Sequence, residues 1–110
     1  MNAADLFAFY RQHHASPIPK DRKFLEGMYL IRRTHVDGSI VAGEIIKSAP
    51  SLQRFEARIL TGENTNKNEW IAYAALEHDV VLLHSNGDMW SCYTALAKNY
   101  AAEQAEKVAA

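Results

Sequence analysis

The chain of 110 residues, 48% of them apolar, can fill one modest core and so reads as a single domain, residues 1–110. Twelve Lys and Arg against thirteen Asp and Glu leave a formal charge of −1, which excludes a global field that would gather nucleic acid or an anionic membrane. A lone cysteine, Cys92, excludes an internal disulfide, and no stretch has the basic start and long apolar run of a signal peptide or membrane span, so a cytoplasmic protein is expected.

In chain order, Leu6, Phe9, Tyr10 and His13 recur at helical spacing and predict an amphipathic helix from Ala3 to His14. Ser16-Pro17-Ile18-Pro19 must end it, because proline lacks the amide donor and disfavours helical geometry in the residue before it. Asp21 to Glu26 predicts one further helical turn, with Phe24 and Leu25 as its apolar contacts, before Gly27 releases the chain into a sheet. Residues 1–26 thus form a helical N-terminal segment.

Asp37-Gly38 and Asn86-Gly87 both suit the positive φ of tight two-residue hairpins. The first predicts strands Met28–Val36 and Ser39–Lys47, with Ile31 opposite Glu44 and Arg33 opposite Ala42, and lets Arg33 pair with Glu44 as a diagonal neighbour. After the Ala49-Pro50-Ser51 break, Phe55, Ala57 and Ile59 alternate with Arg54, Glu56 and Arg58. This is a half-buried strand whose charged face meets solvent or a partner. Gly62 to Asn68 reads as a polar loop, and Trp70 to Leu76 as the returning strand. Across the second turn, Val80–His84 is set to pair with Met89–Tyr93, placing Val81 against Cys92. Thr94 then caps a C-terminal helix, residues 94–110. The fold class expected is α+β: a curved antiparallel six-stranded sheet over residues 27–93, a meander or half-barrel, with an N-terminal and a C-terminal helix.

Chemistry is less legible. The five histidines show no His-x-x-x-His or Cys-x-x-Cys grouping, and adjacent His13 and His14 point about 100° apart on a helix, so no metal and no cofactor is expected. Cys92 is expected to be a buried, inert thiol, and no Gly-x-Ser-x-Gly elbow or glycine-rich phosphate loop occurs. Catalysis is disfavoured; were the chain a small enzyme, a carboxylate such as Glu44 or a histidine such as His84 in a half-barrel pocket would serve. Lys20, Arg22, Lys23, Arg32 and Arg33 cluster in sequence, but the balanced charge and missing motifs favour a solvated face over nucleic-acid binding.

The aromatic residues Tyr29, Phe55, Trp70, Tyr73, Trp90 and Tyr93 are all expected in strands, where they can line a pocket or a partner surface. The candidate ligand-binding residues are therefore Tyr29, Trp70, Tyr73 and Trp90, with Arg33 and Glu44 fixing a polar group.

The run Phe24-Leu25-Glu26-Gly27-Met28-Tyr29-Leu30-Ile31-Arg32-Arg33, followed by a hairpin and alternating strands, resembles the β-rich sensory region of some bacterial helix-turn-helix transcription regulators. The resemblance spans Phe24 to Tyr93, and Met1 to Lys23 is too short for a helix-turn-helix unit. It therefore implies a stand-alone effector or interaction domain without its own DNA reader. The leading expectation is a non-enzymatic module that senses a small molecule or binds a protein partner. The alternative is a homodimeric or partner-binding regulator of the kind carried by mobile elements.

Overall fold

The computed structural model describes residues 3–34, 39–83, 87, 89–92, 94 and 95. Helix α1, Ala3–His13, occupies the expected segment and ends before the two prolines, but its buried face carries Leu6 and Phe7 beside Tyr10, while Phe9 and His13, expected on the apolar stripe, are exposed. A 3-10 turn, Arg22–Leu25, follows with Asp21 as its cap, the Asp21 carboxylate accepting from the Lys23 amide at 3.0 Å. Leu25 is fully buried, whereas Phe24, expected as the second apolar contact, is 71% exposed. Gly27 then takes a left-handed φ of 88°, the geometry that turns the chain into the sheet.

Among the described residues the sheet has five strands rather than six: β1, Tyr29–Arg33; β2, Ile40–Ala49; β3, Arg54–Ile59; β4, Asn68–Ala72; and β5, Val80–Leu83. All neighbours are antiparallel in the order β4-β3-β2-β1-β5. The first four form the expected meander. The fifth leaves that pattern, because the chain crosses from β4 to the far side of β1 through a 3-10 segment, Tyr73–Glu77.

Three expectations are corrected. The strand expected over Trp70–Leu76 stops at Ala72, since Tyr73 and Leu76, three residues apart, bury together in a 3-10 turn as no strand would allow. The strand expected over Met89–Tyr93 is absent: residues 87, 89–92, 94 and 95 are helical, with Met89 and Cys92 buried and Trp90 and Ser91 exposed. That three-residue spacing puts Met89 and Cys92 on one helical face, whereas a strand would have aligned Met89 with Ser91. Tyr93 and Asn86 lie outside the described residues, as do 96–110 of the expected C-terminal helix. Finally, the first hairpin pairs Ile31 with Ala42 and Tyr29 with Glu44, and its ladder closes at Thr34–Ser39. The register is displaced by two residues, so every side chain keeps its expected face while its partner changes.

Register divides the core between two faces. The inner face carries Leu30, Ile45, Phe55, Ala57, Ile71, Val80 and Leu82, covered by Leu25 and by Tyr73 and Leu76 of the crossover. The outer face carries Ile31, Ala42, Val81 and Leu83, covered by Leu6 and Phe7 of α1 and by Met89 and Cys92. Arg32 on β1 forms an ion pair with Glu69 on β4. In a flat sheet those strands lie about 14 Å apart, so the pair marks a sheet curled toward its inner face.

Candidate interaction surface

Among the described residues, the helical cover of the outer face stops short of β3 and β4. There, the register directs Glu44 and Lys47 of β2, Arg54, Glu56 and Arg58 of β3, and Asn68, Trp70 and Ala72 of β4 to one side. Each is exposed or half-buried. The alternation of β3 produces this: Phe55, Ala57 and Ile59 fill the inner face, leaving the charged residues between them outside. Trp70 faces Glu56 and remains 39% exposed, with the Arg54 guanidinium 4.6 Å from its ring centroid. Such a cation–π contact restrains the indole without covering it.

The two edges of the sheet differ. Tyr73 donates its amide to Gln53, and the Lys67 carbonyl accepts from Ile59, so odd-numbered residues of β4 turn their backbone groups toward β3. By strand alternation, Asn68, Trp70 and Ala72 direct theirs outward, and β4 has no further strand beside it among the described residues. On β5, Asp79 accepts from the Arg33 amide, which turns the carbonyls of Val80 and Leu82 outward. Both are capped, Val80 by Arg11 Nη2 at 3.2 Å and Leu82 by the Ser16 amide at 2.8 Å.

The six candidate residues do not converge on one pocket. Tyr29 and Glu44 are direct cross-strand partners on the outer face, and Arg33 and Trp70 lie on that same face. Arg33 is turned to Asp79, at 3.4 Å, instead of to Glu44, and sits 5.1 Å from the Phe7 ring. Tyr73 is buried beneath the inner face, its hydroxyl 2.6 Å from Ser48 Oγ and its ring stacked on Phe55. Trp90 belongs to the helical residues and is 42% exposed. Arg54, the partner that holds Trp70, was not singled out in the sequence. Antiparallel pairing of the two strands is the signal that would have found it.

One cleft, of about 330 Å³, lies between Arg11 and Ala15–Ile18 on one side and Leu76, Glu77 and β5 on the other. The Arg11 guanidinium enters it but donates to the carbonyls of Glu77 and Val80. Burial, then the nearby Arg33, lowers the Arg11 pKa, and Asp79 opposes them. Cys92 is fully buried beside Met89 in the outer cluster, and burial pushes its thiol up to about 12, so it stays protonated at neutral pH. The clustered basic residues divide: Arg32 points to the inner face and Glu69, Arg33 to the outer face and Asp79. No described helix is long and apolar enough to cross a membrane. Comparison with protein-family models, curated proteins and solved structures finds no match to this chain.

Proposed function

We propose that this protein is a non-catalytic protein-interaction module whose binding surface is the open half of the outer sheet face together with the exposed edge of β4. The observation that carries this reading is Trp70, exposed on an edge strand and held by Arg54. Tryptophan and arginine are the residues most enriched where binding energy concentrates, and a restrained indole loses less entropy when a partner covers it. The filled inner face supports the protein-binding version over the small-molecule version, because Tyr73 and Leu76 occupy the place a ligand would take beneath the curl. The carboxylates support a non-catalytic role: Glu69 pairs with Arg32, and among the described residues nothing encloses Glu44 and Glu56 on their open face to exclude water. An effector domain of the kind the resemblance implies, or a partner-binding regulator, would each use such a surface.

The test is a photo-crosslinking residue placed at Trp70 in cells, with Ala74 of the exposed crossover as the control position. A discrete protein adduct from position 70 and none from position 74 is the expected result. Identical patterns at both positions, or no adduct at either, would overturn the reading.

A further inference from the structure

Resting on that interaction reading, we infer that the partner at the β4 edge is a second copy of this chain, paired antiparallel with Trp70 on the two-fold axis so that the two sheets become one. The backbone supplies the first argument. Asn68, Trp70 and Ala72 all turn N–H and C=O outward, and no described residue bonds those groups. Centring the pair on Trp70 sets Trp70 against its symmetry mate and Asn68 against Ala72, each exchanging both backbone hydrogen bonds. The free groups are all used by a single operation.

Side chains agree with that register. On the outer face the two indoles become cross-strand neighbours, an aromatic pairing that sheets favour, with Arg54 of each copy supporting its own ring. On the inner face Glu69 falls opposite Ile71, so no like charges meet. Glu69 is the only formal charge within β4, and Arg32 of the same copy neutralises it. A partner carrying its own charge pattern is therefore not required.

The contrast with the other edge is the third argument. Natural sheets protect exposed edges with proline, lysine, bulges or a covering segment. The β5 edge is protected in this way by Arg11 and Ser16. Strand β4, Asn68–Ala72, carries no proline, no lysine and no bulge against β3, and it presents Trp70 beside the open groups. An edge left bare on a molecule that seals its opposite edge is suited to being paired.

Ala72 provides a selective test. Its φ of −67° already matches proline, its amide points outward, and it is exposed, so Ala72→Pro deletes an intermolecular donor while fitting the isolated fold. Trp70→Glu is the independent second variant: one glutamate can pair with Arg54, whereas two would face each other across the axis. Sedimentation equilibrium of the purified full chain at micromolar concentration should give a dimer. Each variant should weaken it by about tenfold or more, with unchanged circular dichroism and with a melting temperature that no longer rises with protein concentration as the wild type's does. A monomeric wild-type chain, or a dimer that survives both substitutions, would overturn the self-pairing. A monomer that still yields another protein as the adduct from position 70 fails this inference alone, and a monomer that yields no adduct fails the interaction reading with it.

Discussion

At the residue scale, Ser48 joins three segments of the chain through polar contacts. Its amide donates to Glu26 Oε1 at 3.0 Å, and its hydroxyl lies 2.6 Å from the Tyr73 hydroxyl, tying the N-terminal turn and the crossover to β2. The bulge between Ile45 and Lys47 lies beside this residue and sets the displaced register in which Ser48 pairs with Phe55. The Ser48 amide, aided by Lys23 and Lys47, holds the Glu26 carboxyl below its ordinary value of 4.5, against the smaller effect of burial. A depressed folded-state pKa stabilises the fold above the unfolded value and is lost as pH falls through the folded value. Melting temperatures of the wild type should therefore drop more steeply below pH 4.5 than those of Glu26→Gln, with the two curves converging in strong acid. Parallel curves would show that the ionised carboxylate adds nothing to this bond. In the sequence Glu26 stands at the end of a helical turn, with nothing to link it to Ser48. The two are 22 residues apart, and only the folded register brings them together.

At the element scale, strands with clear alternation are legible, and so is the apolar run Val80–Leu83, buried on both faces of the sheet, whereas the stretch after it is not. Arg54–Ile59 alternates so regularly that its buried and open faces follow directly. The stretch Met89 to Cys92 satisfies both a strand and a helix pattern over so few residues. Packing of Met89 and Cys92 against Val81 and Leu83 selects the helix. Gly43 carries a related lesson, since an isolated glycine within a strand marks a close approach. A methyl group there would lie 3.1 Å from the Arg58 carbonyl and 3.5 Å from Leu30 Cδ1. Gly43→Ala should cost about 1–3 kcal/mol, measured by urea unfolding, because the nearer obstacle is backbone and cannot rotate away. An unchanged midpoint would mean that β2 and β3 separate freely at this point.

At the scale of the whole molecule, the two edges of the sheet differ: described residues cap the β5 carbonyls and none bonds the outward groups of β4. The Ser16 amide is one of the groups sealing β5, and Ser16→Pro removes that donor while leaving the outer apolar cluster untouched. The substitution should cost about 1 kcal/mol and, in an Ala72→Pro background, produce concentration-dependent association detectable by light scattering. Absence of association would show that Arg11 alone protects the edge. What the sequence by itself determined was the α+β class, the first helix and its proline stop, the opening meander and the charged face of β3. Each of these rests on local periodicity or on the backbone limits of proline and glycine. Tertiary structure alone decided the crossover that carries β5 to the far side of β1, the helical state of residues 89–92, the ion pair of Arg32 with Glu69 and the difference between the edges. Those features depend on which distant surfaces meet, and the energy that selects them comes from burial and pairing between segments that have no proximity along the chain.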